Sequence, residues 1–217
     1  MLEAMVYLMG KGMPWRDLPT HFGKWKSVYT RWRRWCRSGL WAAILKCLAR
    51  RAKGKLRFID ASHIKVHQDA SNPAGGQSNQ AIGRTKGGLN TKLSALVDND
   101  GHTLWLSLEA GQRADVKAAQ PVIEHLQSGQ HLVGDKGYDS DELRGEAEEK
   151  GVRTCLASRK NRKEKREFNR GYYRKRHRVE NFFGRIKRAR RVGTRYEKLD
   201  LHFLGFVQLA AILDWLN

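Results

Sequence analysis

The sequence predicts an α/β protein: a mixed five-stranded sheet with helices over residues 56–217, preceded by a small all-helical region over residues 1–55. Three observations carry this. Apolar residues recur at helical spacing up to residue 55, and short β-branched runs replace them from Leu56 onward. Strands and helices then alternate, as in a sheet covered by helices. The charge divides at nearly the same place: residues 1–57 hold 14 basic and 2 acidic side chains, residues 58–158 hold 10 and 14, and residues 159–198 hold 18 and 4.

The helical region comes first. Leu2, Met5, Val6 and Met9 share one helical face, and Met13-Pro-Trp-Arg-Asp-Leu-Pro19 ends that helix with two prolines. Trp25, Val28, Tyr29, Trp32 and Trp35 form an aromatic stripe expected to be core. Arg31, Arg33, Arg34 and Arg37 are interleaved with it and have almost no acidic neighbours in the sequence. Gly39 ends this helix, and Leu40 to Leu48 forms another. A short helical unit with a basic face resembles a helix-turn-helix reader, and Arg31, Arg33 and Arg34 are its candidate DNA contacts. A solvated basic face is the plainer reading.

The sheet follows. Residues 56–66 read as a first strand, and residues 67–90, rich in Gly, Ser, Asn and Gln, as a long loop. Thr91 to Val97 and His102 to Leu108 form a hairpin around Asn99-Asp-Gly101. Val116 to Leu126 is a helix with Val116, Ala119, Val122, Ile123 and Leu126 on one face. His131 to Gly134 is a fourth strand, Ser140 to Lys150 a polar helix, and Val152 to Ala157 a fifth strand. Three strands suited to an antiparallel meander, then two added through helices, give the order of the ribonuclease-H-like fold.

Composition narrows the function. With 40% apolar and 29% charged residues, the chain suits a folded protein. No apolar run approaches the roughly 18 residues of a membrane span. Met1 to Lys11 lacks the pattern of a signal peptide. Cys36, Cys47 and Cys155 are too far apart for a Cys-x-x-Cys metal site, and a disulfide framework is not expected. These features fit a reducing cytoplasm. The net charge of +20 and pI near 10.3 point to a polyanionic partner, most simply nucleic acid. Charge alone fits a ribosomal-type basic protein equally well. An acidic centre between basic flanks suits an enzyme that holds cations on carboxylates and DNA around them.

Three carboxylates stand out. Asp60 interrupts an apolar strand, where a charge is costly unless paired or metal-bound; an edge-facing, solvated side chain is the alternative. Asp135 ends the fourth strand, where α/β active sites gather; capping the next turn is its alternative. Lys136, beside it, is a candidate DNA contact. Glu180 lies in a predicted helix where Tyr173, Arg176, Glu180 and Lys187 fall within about 60° of one another. Val179, Phe182, Phe183 and Ile186 form the adjacent apolar face. A charge-laced surface helix is the plainer reading. The three carboxylates are expected to converge within shared metal reach.

Two other motifs are weaker. His63 and His67, about 13 Å apart along a strand, do not read as a zinc pair. Gly83-Arg-Thr-Lys-Gly-Gly88 lacks the Gly-Lys-Ser/Thr of a phosphate loop, so no nucleotide cofactor is expected. Its backbone, with Arg84 and Lys86, suits DNA phosphates.

Asp60, Asp135 in Asp-Lys-Gly-Tyr, and Tyr173-x2-Arg176-x3-Glu180-x6-Lys187 together resemble the DDE transposases of bacterial insertion sequences, of the insertion-sequence-five type. Pro14-Trp-Arg-Asp-Leu-Pro19 and Gly83 to Gly88 share that resemblance. It implies a ribonuclease-H-like catalytic domain and a triad of Asp60, Asp135 and Glu180 holding Mg²⁺, with Mn²⁺ able to substitute. Tyr173, Arg176 and Lys187 would attend the DNA. It further implies two-metal phosphodiester displacement: water cuts the element's end, and the freed 3′-hydroxyl attacks the target. The partners implied are double-stranded transposon ends and target DNA, with a homo-oligomer on DNA, near the bacterial nucleoid. Members of that family carry more sequence before Pro14, so the N-terminal unit is expected to be incomplete. A catalytically silent DNA-binding remnant or regulator of transposition is the alternative function.

Overall fold

The computed structural model describes residues 1–217, apart from the side chain of Ala118. Helices α1 (Leu2–Lys11), α2 (Trp25–Arg37) and α3 (Leu40–Ala49) come first, with 3₁₀ turns at Trp15–Asp17 and Thr20–Phe22 between α1 and α2. A seven-stranded sheet follows: β1 (Leu56–Val66), β2 (Gly83–Thr85), β3 (Gly88–Val97), β4 (Thr103–Ala110), β5 (His131–Gly134), β6 (Arg153–Leu156) and β7 (Thr194–Arg195). Helices α4 (Asp115–Ala119) and α5 (Asp141–Glu149) connect the middle strands. Helices α6 (Arg170–Arg174), α7 (His177–Ile186), α8 (Arg190–Gly193) and α9 (Asp200–Leu216) follow β6.

The strand order places β1 at the centre. β1 pairs antiparallel with β3, β3 with β4, and β5 and β6 add in parallel on the other side of β1. This is the expected ribonuclease-H-like arrangement of five strands. The two further strands are short: β2 pairs with the start of β3, and β7 with the end of β1.

The two-residue period of the strands builds two cores. Phe58, Ile64, Leu93, Ala95, Val97 and Val133 face α7, α9 and the N-terminal helices. Ile59, Leu96, Leu132 and Leu156 face Ala119, Val122, Leu126, Leu143 and Ala147 on the opposite side. The aromatic stripe of α2 is core as expected: Trp32 is fully buried and stacks on Phe206 of α9, ring centroids 4.0 Å apart. Gly205 permits that approach, since a Cβ there would lie 3.0 Å from the Trp32 ring.

Three expectations are corrected. Residues 67–90 are not one irregular loop; they hold 3₁₀ turns at Gln68–Ala70 and Ser78–Gln80, then β2 and the start of β3. Local polar composition hid a hairpin whose pairing partner is its own neighbour. The helix expected over 116–126 is only α4, continued as a 3₁₀ segment over Gln120–His125, because Pro121 has no amide to donate. The single helix expected through Tyr173 to Lys187 is interrupted at Lys175 and Arg176. There the amides bond three residues back, to Tyr172 and Tyr173, in a tightened turn.

Candidate active site

β1 positions the first carboxylate. Asp60 sits opposite Ala95 of β3, and two residues beyond the last pairing of β1 with β5, Phe58 with Val133. Asp135 stands two residues beyond the same pair on β5. The strand period therefore sets both carboxylates on one face, where the two strands end their pairing. One Asp60 oxygen accepts from the Ala61 amide at 2.9 Å. Asp135 Oδ1 accepts from the Gly137 amide at 2.8 Å. The turn-capping reading of Asp135 is thus correct for one of its two oxygens.

The α6–α7 segment brings the third. Val179, Phe182, Phe183 and Ile186 are buried against the sheet, as the sequence pattern required, and Glu180 is left on the exposed side. Arg176, at the tightened turn, joins the two elements. Its Nη1 donates to Asp60 Oδ2 at 2.7 Å and its Nη2 to Glu180 Oε1. Lys187, at the end of α7, donates to Ser62 Oγ at 2.6 Å and to the His63 carbonyl at 3.1 Å. Tyr173 is half-buried against Phe168, ring centroids 5.2 Å apart.

The electrostatics follow from crowding. Burial raises the Asp60 carboxyl above the ordinary carboxylate value, and the nearby charge of Asp135 adds to that. The Ala61 amide and Arg176 pull the other way. Burial would lower the Arg176 guanidinium, but Asp60 and then Glu180 hold it above its usual value. Burial alone pulls the Lys187 ammonium down.

The donor atoms of Asp60, Asp135 and Glu180 do not all lie within 4.8 Å of one another. Among the described residues, the one group of three potential ligands whose donor atoms all lie within 4.8 Å of one another is Asp98, Asp100 and His102 at the β3–β4 turn. There Asp98 accepts from the amides of Lys53, Asp100 and His102, which accounts for its burial. Within the triad the Arg176 guanidinium lies between Asp60 and Glu180 and donates to both. The donor set nonetheless suits a hard divalent cation, since it is all carboxylate and already draws a cationic group between two of its members.

Sequence reasoning missed three neighbours. Asp115, at the start of α4, pairs with the buried Lys92 of β3 at 2.6 Å. A Cβ on Gly137 would lie 2.9 Å from both Asp115 Oδ2 and Asp135 Oδ1. Tyr138 is buried with its hydroxyl unpartnered among the described residues. Burial raises the pKa of that hydroxyl, and the charges of Asp60, Asp115 and Asp135 add to the rise, so the phenol is held protonated. A signal for Lys92 existed: like Asp60, it is a charge inside an apolar strand.

The candidate DNA contacts are dispersed. Arg84, Lys86 and Lys136 are exposed, Lys136 directly beside Asp135. Arg31 and Arg33 lie over the rings of Trp35 and Tyr29, and Arg34 is exposed. His63 bonds Asn90 and His67 pairs with Asp69. The three cysteines are free. A cleft of about 1010 Å³ is lined by Trp15, Trp25, Tyr29 and Tyr196 and by none of the three carboxylates. Among the described residues no helix is long and apolar enough to cross a membrane.

Comparison with known proteins bears on this geometry. Residues 51–215 match the family model of the transposase DDE domain. Residues 1–45 match that of a putative transposase of the IS4/5 family. The chain is 33% identical over 130 residues to a putative transposase for insertion sequence element IS6501 of Brucella ovis, covering 59% of this chain and 100% of that one. It is 32% identical over 110 residues to an uncharacterized protein, y4sN, of Sinorhizobium fredii, covering 51% and 72%. Among solved structures, a piggyBac transposase synaptic complex with hairpin DNA is similar at 12% identity and a TM-score of 0.47. That match covers 73% of this chain and 46% of the other, so the chain spans a little under half of the piggyBac protein.

Proposed function

The chain belongs to the family of the transposase DDE domain, and from that premise we propose that it cuts the ends of an insertion sequence and joins the freed 3′-hydroxyl to target DNA. The observation that carries this is the Asp60–Arg176–Glu180 bridge beside Asp135. It ties a central strand and a late helix, 116 residues apart from Asp60 to Arg176, into one acidic site at an open surface.

Asp60, Asp135 and Glu180 would hold Mg²⁺, or Mn²⁺ in its place. When bound, the cation supplies charge stabilisation at the attacking and leaving phosphodiester oxygens. The chain's own residues do the rest. Glu180 reaches solvent and faces the DNA side. Arg176, which bridges Asp60 and Glu180, carries a fork that would suit a DNA phosphate were it released from them. Lys136, next to Asp135, would meet a phosphate near the acids, and the exposed Arg84 and Lys86 would meet DNA elsewhere on the surface. Tyr173 lines the Arg176 turn and packs the strand of DNA that passes it. Lys187 locks α7 to β1, keeping Glu180 in register with Asp60, and is near enough to the surface to meet a phosphate at the rim. We further propose that residues 1–55 form a DNA-binding region using Arg31, Arg33 and Arg34, that residues 56–217 form the catalytic domain, and that the chain works as a homo-oligomer on double-stranded DNA.

The test is cleavage of a duplex carrying the terminal repeat of the element that encodes the chain. Wild-type protein should nick it in Mg²⁺ and not in EDTA. Glu180→Gln should bind the duplex equally or slightly tighter, since a negative charge facing DNA is removed, and should not cut. Cutting by Glu180→Gln at the wild-type rate would sink the assignment. Binding without cutting by wild type, under conditions where a close relative cuts, would favour a silent DNA-binding remnant.

A further inference from the structure

Asp115 lies outside the triad and outside every motif that marked it. Its chain position explains nothing about its surroundings: it opens α4 on the face of the sheet opposite α7. Yet its side chain reaches round the end of β5 to Asp135. A Cβ on Gly137 would touch Asp115 Oδ2 and Asp135 Oδ1 at the same 2.9 Å. Gly137, lacking that Cβ, keeps open a space bordered by one oxygen of each carboxylate.

Two like charges bordering one space repel, and a cation between them relieves the repulsion. Lys92 answers for one oxygen only. It is 5% exposed, bonds Asp115 Oδ1 at 2.6 Å, and also donates to the Arg113 carbonyl. Among the described residues Asp115 Oδ2 accepts no hydrogen bond. A second, independent feature marks the same place. Tyr138, 1% exposed, leaves its hydroxyl without a partner beside Asp60, Asp115 and Asp135. A buried hydroxyl without a hydrogen bond is unfavourable unless water or a ligand completes it.

We propose that Asp115 is a fourth carboxylate of the cation site, presenting Oδ2 beside Asp135 while Lys92 holds Oδ1. This rests on the reading of Asp60, Asp135 and Glu180 as cation ligands. In it, Lys92 is a positioning residue: its buried ammonium fixes the orientation of the carboxylate. The Tyr138 hydroxyl donates to water or carboxylate oxygen ordered by the cation.

The experiment is calorimetric titration of the full chain with Mn²⁺, in four forms: wild type, Asp60→Asn, Asp115→Asn and Asp115→Glu. Melting in EDTA is recorded for each. Asp115→Asn should weaken Mn²⁺ binding at least about tenfold. Asp115→Glu keeps the charge beside Lys92, so it should fold and still shift the affinity several-fold, because the oxygen moves by a methylene. A purely structural Lys92–Asp115 pair would instead lower the melting temperature in EDTA and leave both titrations at the wild-type affinity, which would overturn the proposal. If Asp115→Asn does not fold, Asp115→Glu alone decides. Asp60→Asn separates the two levels: loss of Mn²⁺ binding there with no change in either Asp115 variant would end this inference and spare the triad. No change in Asp60→Asn would end the triad reading itself.

Discussion

Replacing Arg176 with Gln should make the metal-free protein less stable at neutral pH, and acid or divalent cation should restore it. Arg176 holds two carboxylates. Its contact with Asp60 joins side chains 21% and 20% exposed, between the limits of surface and buried pairs, so breaking it costs about 2–3 kcal/mol. Its contact with Glu180, half exposed, adds up to about 1 kcal/mol. For a chain of this size each kcal/mol moves the melting temperature by about 2–4 °C, so a drop of about 4–16 °C is expected. The sign with pH follows from Asp60. Burial raises its carboxyl, so Asp60 itself favours folding below its ordinary value and that contribution is lost as pH rises through the folded value. Arg176 opposes the rise. What Arg176 contributes is therefore present where Asp60 is ionised and fades as pH falls through the Asp60 titration. Melting curves of both proteins from pH 7.5 toward 4, with and without Mg²⁺, are the assay. The gap should close toward acid, and should narrow in Mg²⁺ because the cation takes over the role of the guanidinium. A gap that is independent of both would refute the reasoning.

Other perturbations test the frame around the site. Arg195 is fully buried and donates to the carbonyls of Gln80, Glu197 and Lys198 and to Thr91 Oγ1; Arg195→Met should cost about 3–5 kcal/mol in chemical denaturation, because those acceptors lose their donor. Gly134→Ala would place a Cβ 2.9 Å from Leu156 Cδ2 and 3.0 Å from Ile59 Cγ2. It should destabilise by about 1–3 kcal/mol and impair cleavage more than DNA binding, since Asp135 is the next residue. Binding to duplex DNA should weaken steeply with salt, with a log–log slope near −0.9 per phosphate neutralised; a flat response would detach the +20 charge from DNA.

Where residues decide structure through their near neighbours, the sequence was readable. β1 has the bounds that its β-branched run implies, Asn99-Asp-Gly101 turns the hairpin, and the apolar face of α7 is buried residue for residue. The carboxylates were legible because each breaks a local rule: a charge in a strand, an acid at a strand end, one Glu among cations. Asp115 breaks none. An acid in the first turn of a helix is ordinary, favoured by the helix dipole, and only the fold brings it to Asp135. Lys92 was readable by the argument applied to Asp60. The break at Lys175–Arg176 was not, because helix propensity there is high and nothing local in the sequence marks the tightened turn. Nor was the bridge of Arg176 from Asp60 to Glu180, since it joins residues 116 positions apart in the chain.

The most direct measurement is anomalous scattering from crystals of the protein grown with Mn²⁺. A peak is expected among Asp60, Asp135 and Glu180, about 2.0–2.3 Å from carboxylate oxygens, with the Arg176 guanidinium moved off Asp60. A peak only at Asp98, Asp100 and His102, with Arg176 still bridging Asp60 and Glu180, would contradict the assignment of this site as the catalytic centre.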